Sequence, residues 1–272
     1  MAFDPEAVRA FERAGWEKAA SAYRATFAAA SSEFVEALLD SAEVTTGTRV
    51  LDLCCGPGIV TGAASRRGAE AGGLDFAPAM LAEARAAHPG LRFDAGDAEA
   101  MPLADASFDA VVSNFGIHHV PRPGRALAEA FRVVRPGGRF AFTTWGSPAE
   151  NIAWQFLFDA VRLHGDPDAA KAPPSGGGID NEDAVLRLLG EAGFAEASVT
   201  LVRREWRMAH PGDLIAVFRR GTVRTAALIE AQRPAALLAI EAEIARRAAA
   251  YRRDGWYFIP IAAILGRGVK SR

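Results

Sequence analysis

The stretch from Val50 to Gly58 joins an acid inside an apolar run to a glycine-rich turn. It starts with strand-forming residues, ends in Gly-Pro-Gly and is followed by helix-compatible residues. A strand, a tight turn and a helix N-terminus are the usual platform for a nucleotide-like cofactor. Asp52 lies within the run, where a carboxylate is costly unless something pairs with it. Asp75, after a second short apolar run, is spaced to accept hydrogen bonds from both hydroxyls of a ribose.

Two adjacent histidines, His118 and His119, are the candidate general bases. They follow the predicted fourth strand, and ligands of doubly wound sheets bind beside the carboxyl ends of such strands. An imidazole at that place could take a proton from a substrate. The alternative is that one of the two caps or packs against the following helix. His164 and His210 lie in predicted covering segments and are weaker candidates.

The composition is typical of a soluble globular enzyme. The chain has 272 residues, is 50% hydrophobic and has a formal net charge of -2, without the basic excess of a nucleic-acid-binding protein. Its only cysteines, Cys54 and Cys55, exclude a disulfide framework and a zinc site built on paired CxxC units, and we predict no metal. The sequence shows neither a signal-peptide pattern nor a run of about twenty apolar residues, so we expect a cytoplasmic protein outside the membrane.

The apolar periodicity predicts strands that alternate with helices between residues 46 and 145. The predicted strands are 49–53, 70–74, 91–94, 108–113 and 139–144, and the predicted helices are 59–67, 78–87 and 124–134. Alternation at this spacing indicates an α/β fold with a parallel sheet and helices on both faces. The Arg135 to Gly138 segment is predicted to be a turn before the fifth strand.

The flanking regions are predicted to be mainly helical. Residues 5 to 41 show a helical period, with Gly15 as a candidate break. Beyond Trp145 the predicted elements are a helix at 148–163, a flexible loop at 165–179, a helix at 181–190, a strand at 195–208, helices from 211 to 253 with breaks at Gly221 and Pro234, and a last strand at 256–268. Pro260 is awkward in an interior strand, so we expect a bend at 256–260 and a ladder that starts near Ile261.

Four stretches together resemble class I S-adenosylmethionine-dependent methyltransferases, closest to the ubiquinone/menaquinone-biosynthesis type that acts on small molecules. They are Val50-Leu-Asp-Leu-Cys-Cys-Gly-Pro-Gly58; Gly73-Leu-Asp-Phe-Ala-Pro-Ala-Met80; Gly96-Asp-Ala98 with Met101-Pro-Leu103 and Phe108-Asp109; and Arg135-Pro-Gly-Gly138. The resemblance implies a doubly wound, Rossmann-like, mostly parallel seven-stranded sheet whose last strand is antiparallel and internal. It also implies one domain over 1–272, made of N-terminal helices (1–45), a cofactor-binding core (46–145), helical lid insertions (146–180 and 209–254) and the end of the sheet (182–208 and 255–272).

The resemblance implies S-adenosylmethionine (SAM) as cofactor and S-adenosylhomocysteine (SAH) as its product. Gly56 and Gly58 would let the backbone approach the methionine part, because a side chain would collide with it. Asp52 would orient that loop near the amino group of the cofactor, and Asp75 would hold the ribose. Cys54 belongs to the same turn.

The other implied contacts lie farther along the chain. Phe76 and Met80 would pack on the adenine face, Gly96, Asp97 and Ala98 would read the adenine edge, Asn114 and Phe115 would close over the methionine end, and Tyr23 would cover the carboxylate, with Trp16 as a second aromatic there. Three alternatives stay open. Asp52 could brace its loop without touching a ligand, Phe76 and Met80 could be core residues, and Tyr23 could be core as well.

The implied reaction is methyl transfer to a small organic, apolar or aromatic acceptor by in-line displacement, in which alignment can be worth roughly 7–11 kcal/mol. Six aromatic residues are candidates for the acceptor side: Trp154, Phe156, Phe158, Trp206, Phe218 and Trp256. The residues after the fourth strand do not match metal-dependent catechol methylases, amino-group methylases or cytosine-carbon methylases. Two alternatives are kept, an NAD(P)-dependent oxidoreductase and a protein of this fold that binds SAM without methylating. The sequence leaves a homodimer open.

Overall fold

The computed structural model describes residues 3–174 and 178–272, so part of the predicted flexible loop lies outside the described residues. In chain order the helices are α1 (Pro5–Tyr23), α2 (Ala28–Ser31), α3 (Val35–Ser41), α4 (Ile59–Arg66), α5 (Pro78–Ala87), α6 (Pro123–Val133), α7 (Ile152–His164), α8 (Glu182–Glu191), α9 (Asp213–Gly221), α10 (Arg224–Glu230) and α11 (Pro234–Ala248). No helix within the described ranges combines the length and the apolar character that crossing a membrane requires.

The strands form one mixed sheet. They are β1 (Arg49–Leu53), β2 (Glu70–Asp75), β3 (Arg92–Ala95), β4 (Phe108–Asn114), β5 (Val134–Trp145), β6 (Ala195–Met208), β7 (Arg252–Arg253) and β8 (Trp256–Val269). The main path runs β3-β2-β1-β4-β5-β8-β6, and β7 pairs with the start of β8. The strands from β3 to β5 are parallel, while β8 lies antiparallel between β5 and β6. The expected fold class, with an internal antiparallel last strand, is confirmed.

Helices cover both faces of the sheet because successive strand residues point in opposite directions. Val50 packs in a core with α3 and α4, whereas its neighbour Leu51 packs in a second core with α6 and α8. A third core joins α7 and the helices α9 to α11 with the far end of β6 and β8. Helix α1 contacts α5 and α9. This arrangement leaves the carboxyl ends of β1 to β4 facing α1.

Gly15 does not break the first helix, contrary to the sequence expectation. α1 is continuous from Pro5 to Tyr23, with Asp4 accepting hydrogen bonds from the backbone N–H groups of Glu6 and Ala7 at its start. A Cβ on Gly15 would lie 2.3 Å from a methyl group of Val223. The glycine therefore allows the segment before α10 to approach α1 closely, which is a packing requirement that sequence periodicity does not reveal.

The predicted turn at Arg135–Gly138 is part of β5. Its pairing with β4 shifts from Phe108↔Val134 to Ala110↔Arg139, so the strand carries extra residues at this point. Gly137 has a φ of +81°, which supplies the left-handed residue that such an irregularity needs. The residue types at Arg135–Gly138 correctly indicated an irregular backbone, but it lies within the pairing of β5 with β4 and not before β5.

The ladder of β8 starts at Trp256, and the predicted bend at 256–260 is wrong. Tyr257 pairs with Met208, and Pro260 pairs with Glu205. Backbone groups of alternate residues in an antiparallel strand point to the same side, and those of Ala262 point away from β6, toward Gly146 and Asn151. Pro260 shares that orientation, so its missing N–H removes no hydrogen bond from the β6 pairing.

Helix α7 starts at Ile152, four residues later than predicted, because Asn151 has another role. The buried Asn151 side chain accepts a hydrogen bond from Ala262 N–H at 3.0 Å and donates to the Ala262 carbonyl at 3.1 Å. Its amide also donates to the Gly146 carbonyl at 2.9 Å. The Asn151 side chain thus makes the hydrogen bonds to β8 that a neighbouring strand would make, just beyond the point where β5 ends.

We expect Asn151→Ala to lower the free energy of unfolding by about 2–3 kcal/mol, because a buried backbone donor would lose its partner. Asn181→Ala is the matched control, since Asn181 makes an exposed cap bond to Ala184 N–H at 2.9 Å; its loss should cost about 1 kcal/mol. Denaturant unfolding of both variants measures the difference. Equal or smaller destabilisation by Asn151→Ala would contradict this role.

Candidate functional site

A cavity lies at the carboxyl edge of the sheet, between the loops that follow β1, β2, β3 and β4 and beneath α1. The empty space between its walls, counted together with the open solvent at its mouth, is about 890 Å³. Fourteen residues expected from the sequence line it: Trp16, Tyr23, Asp52, Cys54, Gly56, Asp75, Phe76, Met80, Gly96, Asp97, Ala98, Asn114, Phe115 and His119. Segments far apart in the chain therefore meet around one space.

Asp52 is a buried acid with one oxygen committed to the protein. Its Oδ2 accepts hydrogen bonds from Thr61 N–H at 2.9 Å and from Thr61 Oγ1 at 2.6 Å. Burial raises the pKa of the Asp52 carboxyl to about 7, although the bonds from Thr61 lower it. Its Oδ1 accepts no hydrogen bond from the described residues, and Asp52 lines the cavity. The acid thus braces the start of α4 and still offers an oxygen to a cationic group.

Asp75 connects the two loops at the floor of the cavity. One carboxylate oxygen accepts from Gly56 N–H at 2.8 Å, and the other accepts from Ala77 N–H at 2.9 Å. Burial raises the pKa of Asp75, opposed by these backbone hydrogen bonds. Each oxygen keeps a further lone pair for a ligand hydroxyl.

A ligand can approach the backbone of Gly56 closely, whereas glycine at position 58 is required by packing and by its backbone conformation. A Cβ on Gly56, whose φ is +51°, would enter open space with only the Met80 sulfur within 4 Å. Gly58 does not line the cavity; at φ +76° its Cβ would lie 2.8 Å from the Phe93 ring. Packing against Phe93 and a left-handed start to α4 therefore explain glycine at position 58, and its contact with the cofactor stays a prediction.

The loops after β1 and β4 touch each other where Cys54 meets Gly116, and each loop holds one non-glycine residue in the left-handed region. Cys54 and Phe115 are non-glycine residues with φ of +57° and +55°. A Cβ on Gly116 would lie 2.4 Å from that of Cys54, so glycine is needed at this contact. Backbone strain of this kind persists where surrounding structure enforces it, often at ligand sites.

Asn114 and Phe115 close one end of the cavity through fixed contacts. Asn114 accepts a hydrogen bond from Thr143 Oγ1 at 2.7 Å and donates to the Ser31 carbonyl at 3.0 Å. The Phe115 ring stacks on Trp145 with a centroid separation of 3.8 Å. Both side chains are thus held before any ligand binds.

The opposite end contains Asp97, which is already engaged by the N-terminal helix. Asp97 accepts a hydrogen bond from Arg9 Nε at 2.9 Å and from Glu99 N–H at 2.9 Å. Arg9 also reaches the buried Glu99, which Arg122 pairs from the other side. Arg9 was not predicted from the sequence, yet it lines the cavity and joins α1 to the loop after β3.

Helix α1 forms a roof over the cavity. Trp16 contacts Tyr23 edge to face at 5.8 Å, and the Tyr23 hydroxyl lies 3.1 Å from Ser31 Oγ. Burial raises the pKa of Tyr23, which therefore stays a neutral hydroxyl. Phe76 and Met80 pack against the same aromatic pair while also lining the cavity. For these residues, core packing and ligand contact are compatible.

The two histidines have different surroundings. His119 lines the cavity, and its Nδ1 lies 2.9 Å from Glu12 Oε2. His118 does not line the cavity, and its Nδ1 is buried without a partner among the described residues. Burial, with the charges of His119 and Arg224, lowers the pKa of His118 well below its usual value. Of the pair, His119 is the one placed to contact a ligand.

None of the six aromatic residues expected on the acceptor side lines this cavity. Phe156, Trp206 and Phe218 are buried core residues, and Trp256 is exposed beneath the Arg207 guanidinium. Trp154 contacts Trp145, the residue that stacks on Phe115. Of the six, Trp154 thus supports the cavity wall from behind.

Sequence reasoning missed two polar residues of α1, Arg9 and Glu12. They lie three residues apart, and Trp16, which was expected at the cofactor, follows four residues later, so all three share one helix face with Tyr23. The sequence signal that could have found them is that Arg9 and Glu12 are charged residues on a helix face that is otherwise apolar. Within residues 3–174 and 178–272, no cluster of three or more His, Cys, Asp or Glu side chains is arranged to hold a metal ion.

Comparisons with known proteins agree with this geometry. A family model described as a methyltransferase domain matches residues 51–142. The demethylmenaquinone methyltransferase of Renibacterium salmoninarum is 39% identical over 129 residues, covering 46% of this chain and 54% of that protein. The chain spans about half the length of the first curated relatives it matches.

Two further matches cover a larger share of the matched protein's own length. The ubiquinone/menaquinone biosynthesis C-methyltransferase of Roseobacter denitrificans is 34% identical over 180 residues, covering 60% of this chain and 72% of that protein. The crystal structure of the YcgJ protein from Bacillus subtilis shares the fold, with a TM-score of 0.58 at 18% identity, over 88% of this chain and 99% of that one.

These matches decide against the oxidoreductase alternative. The dinucleotide-binding fold has strand order 3-2-1-4-5-6 in a parallel sheet, whereas here the antiparallel β8 separates β5 from β6. SAM, the cofactor of the matched family, fits the open cradle at Gly56 and the carboxylates of Asp52 and Asp75. The chain belongs to the class I SAM-dependent methyltransferase family.

Proposed function

We propose that this protein transfers a methyl group from SAM to a ring carbon of a small, reduced quinone-type acceptor. The observation that carries the proposal is the cavity that combines Asp52, Gly56 and Asp75 with His119. Several relatives are named as methyltransferases of menaquinone or ubiquinone biosynthesis, and one name specifies carbon methylation. A mainly apolar site suits an aromatic ring with few polar groups.

The chain's own residues would bind and orient the donor. The free Asp52 oxygen would accept from the amino group of the amino-acid part, and Asp75 would accept from the ribose hydroxyls. Asp97, held by Arg9, would receive the adenine edge. Phe115 and Tyr23 would cover the methionine end and keep water out. When bound, SAM supplies an electrophilic methyl group on a positively charged sulfur.

A carbon acceptor must lose a proton after methylation, and His119, which lines the cavity, would take it. A reduced quinone ring is electron-rich enough to serve as the carbon nucleophile, but its ring carbon carries a hydrogen that must leave. The accessible nitrogen of His119 would receive that proton. Rigid placement of both reactants against Phe115 and His119 would supply most of the rate enhancement.

The proposal is tested with SAM labelled in its methyl group and a reduced 2-alkyl-1,4-naphthoquinone. We expect label on the ring carbon and formation of SAH, and no transfer to the oxidised quinone, which lacks the nucleophilic carbon. Label found on an oxygen would contradict carbon methylation. Binding of SAM without transfer to this acceptor or to a panel of phenols, amines and thiols would favour the binding-only alternative.

Binding of SAM should depend on pH through Asp52. The ligand-free carboxyl has a pKa of about 7, so it is mostly protonated at pH 6, and a cationic ligand must displace that proton. We expect about two- to tenfold weaker binding at pH 6 than at pH 7.5, because only the ionised form attracts the ligand. Asp52→Asn should bind weakly at both pH values and lose most of the pH dependence.

Isothermal calorimetry with SAM at the two pH values measures this effect. Repeating it in buffers of different ionisation enthalpy counts the protons released on binding, which should be more at pH 6 than at pH 7.5 for the wild type. An unchanged pH dependence in Asp52→Asn would show that another group is responsible.

A further inference from the structure

A carboxylate in the roof helix α1 is completely buried beside the cavity. Glu12 has 0% of its surface exposed. Its Oε1 accepts a hydrogen bond from Arg224 Nε at 2.7 Å, and its Oε2 lies 2.9 Å from His119 Nδ1. A buried charge is expensive unless it is paired and hydrogen-bonded. Both oxygens of Glu12 meet this requirement, so the carboxylate is held in one position.

This contact joins three separate parts of the chain. Glu12 comes from α1, His119 from the turn that follows β4, and Arg224 from the start of α10. Arg224 also donates to the Pro173 carbonyl at 2.8 Å, and its guanidinium lies 5.5 Å from the Phe11 ring centroid. The segments 146–180 and 209–254 are thereby connected to the histidine at the cavity.

The pairing fixes which nitrogen of His119 carries a proton. A carboxylate can only accept hydrogen bonds, so His119 Nδ1 must donate to Glu12. His119 Nε2 makes no hydrogen bond within the described residues, and it is not among the buried atoms that lack a partner. Nε2 is therefore accessible and has a free lone pair while the imidazole is neutral.

We propose that Glu12 is the positioning residue of His119 and that Arg224 holds Glu12 in place, so that proton removal requires α10 to be seated on α1. The inference rests on the proposed function. The bond from sulfur to the methyl carbon breaks as the new carbon–carbon bond forms. The acceptor's proton then goes to His119 Nε2, and the charge of the resulting imidazolium is balanced by Glu12. Besides Glu12, the His118 ring lies next to His119 with a centroid separation of 4.0 Å, and Arg224 is paired with the other oxygen of Glu12.

Glu12→Gln is the decisive variant because Arg224 should still donate a hydrogen bond to the side-chain oxygen at position 12. Arg224 donates to Oε1, so the glutamine oxygen should stay there and the amide NH₂ should face His119. An NH₂ group can only donate, which forces Nδ1 to accept and moves the proton to Nε2. The wrong tautomer cannot take a proton at Nε2.

We expect two results for Glu12→Gln. The ¹⁵N chemical shifts of His119, measured at a pH where the ring is neutral, should change from the Nδ1–H pattern to the Nε2–H pattern. With labelled SAM and the reduced 2-alkyl-1,4-naphthoquinone, kcat should fall by about 10²- to 10⁴-fold, while affinity for SAH stays within about twofold of the wild type, since Glu12 does not line the cavity.

Two further variants separate positioning from packing. Glu12→Asp keeps the charge, so it should retain the Nδ1–H tautomer and lose less activity than Glu12→Gln. Glu230→Gln is the matched control, because it removes the exposed Lys18–Glu230 ion pair between the same two helices, α1 and α10. It should change neither the tautomer nor kcat.

The tautomer is read without any acceptor, so its result does not depend on the proposed function. An unchanged tautomer in Glu12→Gln would overturn the proposal, as would a changed tautomer with unchanged kcat. If Glu12→Gln does not fold, Glu12→Asp decides: the Nδ1–H tautomer with partial activity supports positioning, and the Nε2–H tautomer contradicts it.

Discussion

The site depends on one buried carboxylate at the end of β2. Asp75 accepts hydrogen bonds from the backbone of the glycine turn after β1 and from the first residues of the α5 segment. Both loops have N–H groups that would be unsatisfied away from water, and each is bonded to a different oxygen of Asp75, so an asparagine here would turn an NH₂ donor toward one of them. The turn that approaches the ligand is thus set by the same group that would hold its ribose.

A second constraint is the roof helix α1, which reaches every part of the cavity. Arg9 pairs with Asp97 at one end, Trp16 and Glu12 contact His119 in the middle, and Tyr23 lies at the other end. These side chains recur at helical spacing, so one straight helix can present all of them. The continuity of α1 through Gly15, where Val223 packs against the backbone, is what makes this alignment geometrically feasible.

Local sequence patterns predicted most of the sheet because strands buried between helices read as short apolar runs. β1 and β6 were placed with their observed bounds, and α5 began at Pro78 as expected. The errors occurred where a distant contact decides the local structure. Asn151 bonds to β8 just before α7, whereas the sequence placed it inside a helix from residue 148, and Pro260 is tolerated because its backbone nitrogen faces away from β6. Glu12 and Arg224 could not be paired from one sequence, since they lie 212 residues apart.

The central claim is that Asp75 holds both the turn and the donor. The most direct measurement is the affinity for SAH of Asp75→Asn by calorimetry, compared with Asp94→Asn on the neighbouring strand β3, whose partner is Arg92. Loss of charge-assisted hydrogen bonds predicts affinity lower by about 10- to 100-fold for Asp75→Asn and unchanged affinity for Asp94→Asn. Equal affinity in wild type and Asp75→Asn would contradict the account.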